Sequence, residues 1–315
     1  MASTRFPAAG ASLLITLFVA RLVVGVIAYS PVSVAQATNS VLVEQARLEP
    51  LAERGDAEAQ FQLGQLFESS LKQPEHAALW YRRASASGHA KAEHSLALLY
   101  QNGRGVTRDA IEALRWYRAS AERGYAPAQY NLAILTGRGQ AVEANTVEMA
   151  RWLTLASQGG YDRAQAQLGR LYLEGVGVTR DPVAAVQWFR QAAEQGNAWG
   201  QYYLARQLRR GEGVKRDFDD ALRWNERAAQ QDHLWALFDA ATTYELGLGV
   251  PSDNARALDY FRRAADLGHP PAVDRLARLY AEGGLGRGSD PALATLWSDR
   301  RRAARVNDVK TNNDP

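Results

Sequence analysis

YDRAQAQLGRLYLEGVGVTRDPVAAVQWFRQAAEQG, residues 161–196, holds two helical patterns on either side of a glycine-rich turn. In the first, Ala164, Leu168, Leu171 and Tyr172 recur at the spacing of one helix face. In the second, Ala185, Trp188, Phe189, Ala192 and Ala193 do the same. Gly175 and Gly177 give the turn its backbone freedom, and Val178 gives it an apolar anchor. Asp181-Pro182 has the chemistry of a helix start, with Asp as N-cap and Pro at the first helical position. Gly196 stands where the second helix must end in a left-handed residue.

The unit recurs. Trp80, Trp116, Trp152, Trp188 and Trp224 are spaced 36 residues apart, Tyr260 continues the series, and Trp297 follows at 37. Gly88, Gly124, Gly160, Gly196 and Gly268 keep the same step, as do Gly103, Gly139, Gly175, Gly211, Gly247 and Gly283. Three landmark columns at one period predict seven paired-helix repeats from about Asp56 to residue 300. A lone helical hairpin cannot bury its apolar face, so each Trp and Leu column must be completed by the next repeat. The Trp column is therefore expected in the core.

Ala164, Leu168-Gly169, Leu171-Tyr172, Gly175, Gly177-Val178, Asp181, Ala185, Trp188, Ala192-Ala193 and Gly196 together resemble the Sel1-like repeat, a relative of the tetratricopeptide repeat. The resemblance implies an all-α, right-handed superhelical solenoid. For exported bacterial members it implies an interaction scaffold or regulator. Their partners would be proteins such as a sensor kinase or a component of polysaccharide secretion. Some Sel1-like proteins are cysteine-rich and β-lactamase-like; this chain has no cysteine, so that hydrolase reading is not carried over.

Residues 1–37 differ from the repeats. Arg5 precedes an apolar run from Leu13 to Tyr29 that Arg21 interrupts, and Ala35-Gln36-Ala37 offers small residues for cleavage. This is the layout of a secretory signal, which implies a periplasmic protein. The alternative is an uncleaved inner-membrane anchor on an envelope-assembly protein. Arg21 weighs against it, because a charge at the bilayer centre costs about 2.5–3.5 kcal/mol. Residues 38–55 read as a capping helix that Pro50 breaks, with polar Arg47 in the Trp column. Residues 301–315 read as a basic, polar, disordered tail.

The formal charge is +3, and without Arg5 and Arg21 it falls to +1, which argues against nucleic acid as the main partner. The Gly-x-Gly turns lack the Lys-Ser/Thr of a phosphate loop and follow helices, so Gly283–Gly288 reads as a lengthened turn. His89, His233 and His269 share the column that opens each repeat, which suits a boundary role and not metal ligation. No catalytic set, cofactor or metal is expected.

The informative residues lie in the variable columns. Counting each first helix from the residue after the boundary, positions 4, 8, 9, 11 and 12 carry the core. Positions 3, 6, 10 and 13 form a separate stripe. In tetratricopeptide repeats the corresponding stripe lines the concave groove. Here it supplies Tyr130, Arg163, Arg170, Trp199, Tyr202, Arg206, Trp235 and Phe238 as candidate partner-binding residues. Trp, Tyr and Arg are enriched at interface hot spots. The alternative is that neighbouring first helices pack these aromatics against one another.

Overall fold

The computed structural model describes residues 31–311, with side chains for 40–302. The expected signal segment thus lies almost wholly outside the described residues. The chain opens with α1 (Pro31–Glu53). Seven helix pairs follow: α2 (Ala57–Ser69) with α3 (Pro74–Ala86), α4 (Ala90–Asn102) with α5 (Ala110–Glu122), and α6 (Ala126–Arg138) with α7 (Thr146–Gln158). Then come α8 (Asp162–Glu174) with α9 (Pro182–Glu194), α10 (Ala198–Arg210) with α11 (Phe218–Gln230), α12 (Leu234–Leu246) with α13 (Asn254–Asp266), and α14 (Pro270–Glu282) with α15 (Pro291–Thr311). Each helix packs on its partner and on its successor, which is the all-α repeat solenoid expected from the period. Among the described residues, no helix is long and apolar enough to cross a membrane.

Caps fix the helix starts. Asp181 Oδ1 accepts from the backbone N–H of Val183 and Ala184, and Asp109, Asn145, Asp217 and Asp253 act alike in their repeats. At the repeat boundaries the histidines take this role: Nδ1 of His89, His233 and His269 accepts from Ala92, Ala236 and Ala272 N–H. An accepting nitrogen must be unprotonated, and burial favours that state, holding His233 down to about 4.

A second set of bonds ties one repeat to the next. The amides of Gln60, Gln129, Gln165 and Gln201 donate to the carbonyls of Ala52, Ala121, Ser157 and Ala193, each eight residues back in the preceding helix. Those carbonyls lie at helix C-termini, where no intrahelical donor remains.

Three expectations are corrected, and the core placement of the Trp column holds only in part. In repeats 1, 2, 4 and 6 the deepest ring of the second helix is the residue after the Trp column: Tyr81, Tyr117, Phe189 and Phe261 are at most 1% exposed. Trp116, Trp188 and Trp224 are only half-buried. Trp80, Trp152 and Trp297, by contrast, are buried at 9%, 7% and 6% exposure, so the column lies in the core in some repeats and at its rim in others. Arg83, Arg227 and Arg300 lie 4.5 Å from the ring centroids of Trp80, Trp224 and Trp297.

Pro50 does not break α1, which continues to Glu53. Leu48 and Ala52, 2% and 1% exposed, flank Pro50 and hold that last turn against repeat 1. The boundary at residue 300 is not structural either. α15 runs on to Thr311, and Arg300 and Arg301 are tied down by Asp266 and Asp274, both at 2.7 Å. Finally, position 11 is not apolar throughout, because repeat 5 buries Gln207 there.

The irregular third repeat has a packing cause. Met149 replaces the Ala of its column, and a Cβ at Gly137 would lie 2.1 Å from the Met149 sulfur. The displaced glycine makes room for the larger side chain. Ala141 then takes the left-handed conformation, with φ 66°, that glycine holds in the other turns. Asp232 does the same at the end of repeat 5, with φ 56°, as its side-chain chemistry allows.

Candidate functional site

The first helix of each repeat begins with the boundary residue at position 1 and carries a side chain at position 6 that leans toward the next boundary. Ring contacts result at nearly every junction. Phe61 stacks on His89 at 4.8 Å, and His94 meets Tyr125 at 5.2 Å. Tyr130 meets Tyr161 at 5.4 Å, Tyr202 stacks on His233 at 4.8 Å, and Phe238 meets His269 at 5.0 Å. These are centroid separations at which aromatic pairs attract beyond the burial of their area. The ladder fails at one junction. Repeat 4 has Ala166 at position 6, and repeat 5 opens with Asn197.

A cavity of about 630 Å³ occupies that junction. It is lined by α6, α8 and α10, the first helices of repeats 3 to 5, and both residues of the missing pair, Ala166 and Asn197, are in its wall. Tyr130, Trp199 and Tyr203 add aromatic surface, while Arg138, Arg163 and Arg170 bring three guanidiniums. No carboxylate belongs to the lining. Two stand beside it and are engaged. Asp162 accepts from the Asn197 amide at 2.8 Å, and Glu174 pairs with Arg170 at 3.6 Å. Trp199 is 50% exposed although it makes a T-shaped contact with His233, with 4.5 Å between ring centroids. Burial raises the Tyr203 phenol above its ordinary range, with Arg170 and Arg206 pulling it back, so it stays neutral.

The eight expected partner-binding residues divide into three groups. Tyr130, Arg163, Arg170 and Trp199 come together around the cavity. Tyr202 and Phe238 turn inward: Tyr202 is 8% exposed, and Phe238 packs on Phe261 at 5.5 Å as well as on His269. Here the neighbouring-helix packing weighed as the alternative is what occurs. Trp235 and Arg206 lie outside the cavity. Trp235 repeats the Trp199 arrangement one unit on, 45% exposed and in a T-shaped contact with His269 at 4.5 Å between centroids. Arg206 is half-buried, where its charge acts on Tyr203 and Asp239.

Tyr203, Gln167 and Arg138 line the cavity without having been expected there. They occupy positions 7 and 14 and make with positions 3 and 10 a stripe 3, 7, 10 and 14, which lines the cavity together with Tyr130 and Ala166 at position 6. That spacing is as helical as 3, 6, 10 and 13. Trp199 and Tyr203, four apart, could have marked it.

A different cleft of about 650 Å³ lies near α1 and α2, lined by Glu44, Glu58 and Lys91 among others. Its carboxylates are occupied, Glu44 by Arg47 and Glu58 by His89. The titratable groups shifted by burial serve packing. His94, held to about 4, sits against Tyr117 and Tyr125, and Asp239 pairs with Arg209 at 3.2 Å.

Six segments, residues 57–89, 90–125, 126–161, 162–197, 200–233 and 236–269, match the Sel1 repeat family model. Among solved structures, a Sel1 repeat protein from Oxalobacter formigenes is similar at 28% identity with a TM-score of 0.71, over 77% of this chain and 96% of that one. A protective antigen present in uropathogenic Escherichia coli strains, displaying an SLR fold, is similar at 29% identity with a TM-score of 0.54, over 86% of this chain and 68% of that one. No curated protein matches the chain.

Proposed function

This chain belongs to the Sel1 repeat family, and from that premise we propose that it is a non-enzymatic interaction protein of the bacterial cell envelope. It holds a protein or peptide partner against the first helices of repeats 3 to 6. The observation that carries this reading is the cavity at the broken aromatic ladder, with half-exposed Trp199 beside Arg163, for which no ion pair is found among the described residues. Large aromatics left open next to unpaired guanidiniums are the composition of an interface anchor. A sensor kinase or a polysaccharide-secretion component remains the range of partners that the family resemblance implies.

The double substitution Trp199→Ala, Trp235→Ala tests the groove. Both rings are about half exposed, so the folded state should survive, with a loss of melting temperature well below that of a core-ring truncation. Cross-linked capture of the native partner from periplasmic extract should fall by an order of magnitude or more, corresponding to about 2 kcal/mol for a hot-spot anchor. A folded double variant that captures its partner at full strength would rule the groove out.

The envelope assignment rests on the run Leu13–Tyr29 followed by Ala35-Gln36-Ala37. Amino-terminal sequencing of protein from the native host is expected to start at or near Thr38, in the periplasmic fraction. A chain that still begins at Met1 and sediments with membranes would replace this with the anchored reading.

A further inference from the structure

We propose that the cavity between α6, α8 and α10 receives one aromatic side chain from an acidic segment of the partner. The inference rests on the groove reading above and gives its chemistry. Five of the six junctions from His89 to His269 are closed by a ring contact between position 6 and the next position 1. At the sixth, Ala166 and Asn197 supply no ring; Ala166 is 6% exposed, and both residues border the cavity. α8 and α10 come closer to each other there than other successive first helices do, so the small side chains at this junction are partly met by closer helix packing, and the cavity lies along the helix faces beside it.

The surroundings select the occupant. Tyr130 and Trp199 flank the opening and Tyr203 adds a third ring, so an inserted aromatic side chain would meet ring faces and edges on several sides. The three arginines then act on what adjoins that side chain. Arg163 is exposed at the mouth and without an ion pair among the described residues, and so is Arg138. Arg170 has only the 3.6 Å contact with Glu174. Guanidinium groups so placed favour carboxylates on the residues flanking the inserted ring. The cavity of about 630 Å³ exceeds one ring and leaves room for the backbone on either side of it. A single recess bounded by helices suits one anchor residue better than a run of stacked bases.

The test uses the whole mature chain and a fluorescein-labelled heptapeptide with one phenylalanine between glutamate and aspartate in a glycine–serine background. Binding is read by fluorescence anisotropy. Ala166→Phe should crowd the inner wall of the cavity and weaken peptide binding by about tenfold or more, the loss of a buried anchor. Replacing the peptide phenylalanine by alanine, or its two acids by their amides, should weaken binding to a similar degree. Arg163→Gln, on an exposed side chain that supports no packing, should weaken binding and flatten its salt dependence, and it decides the matter if Ala166→Phe fails to fold. Unchanged peptide affinity in a folded Ala166→Phe protein, or in Arg163→Gln, would overturn the proposal. So would no measurable binding of the peptide to the wild-type chain, or tighter binding of an oligothymidylate. Loss of native-partner capture in the Trp199, Trp235 double variant together with any of those outcomes would leave the groove reading standing and remove this one alone.

Discussion

Phe189→Ala is expected to lower the stability of the chain by about 3–5 kcal/mol, the usual range for truncating a buried ring. Trp188→Ala, one residue earlier, should have a distinctly smaller effect. Phe189 is 0% exposed and fills the core of repeat 4 with Ala185, Leu204 and Ala221. Its ring lies so close to Gly169 that a Cβ there would be 2.6 Å from it. It also stacks on Tyr203 at 5.0 Å, so its removal takes support from one wall of the candidate site. Trp188 is half-buried and packs against the edge of the neighbouring core. In a solenoid the damage is shared with the adjoining repeats through their interfaces. Thermal melts and urea titrations of the two variants, followed by circular dichroism, give the comparison. A Trp188→Ala midpoint as low as that of Phe189→Ala would mean that the Trp column carries the core after all.

Gly213→Ala should destabilise the protein by more than Gly211→Ala or Gly196→Ala. All three glycines are left-handed, with φ of 73°, 71° and 90°. Each alanine therefore meets a backbone cost of about 1–2 kcal/mol. What differs is the space around the added methyl. At Gly196 nothing lies within 4 Å, and at Gly211 the nearest atom is the Arg216 Cβ at 3.2 Å. At Gly213 a Cβ would be 2.1 Å from the carbonyl oxygen of Pro182, a backbone atom at the start of the preceding second helix. That helix start would have to move, and the junction between repeats 4 and 5 with it. Melting temperatures of the three variants measure the clash directly. Equal losses across them would show that the turn yields freely and that the second glycine is kept for its φ alone.

Much of the fold was legible from period and chemistry. The 36-residue step of Trp80 to Trp224 defined the repeat. Asp181-Pro182 marked the start of a helix and Gly196 the left-handed residue beyond its end, and both are found. The boundary role of His89, His233 and His269 could be read from their shared column, although the capping bond that defines it could not. The departures needed the neighbours. Gly137 makes sense only beside Met149, and the continuation of α1 through Pro50 only beside the burial of Leu48 and Ala52.

The candidate site divides along the same line. Helical spacing placed Tyr130, Arg163, Arg170 and Trp199 on one face, and they do meet around one cavity. The same spacing placed Tyr202 and Phe238 with them, yet those rings close repeat junctions. Residues at positions 6 and 7 differ by one step of about 100° around the helix, and either can continue a stripe begun at position 3. Periodicity is a property of a single helix, so the sequence by itself determined the repeat, the helix ends and the residue types available on the inner helices. Which of two adjacent side chains is covered depends on how far the next repeat reaches over it, and that distance is set by packing between helices remote in sequence. Only the tertiary structure could decide that Tyr203, not Tyr202, faces the groove, and that Ala166 and Asn197 border a cavity instead of making a ring contact.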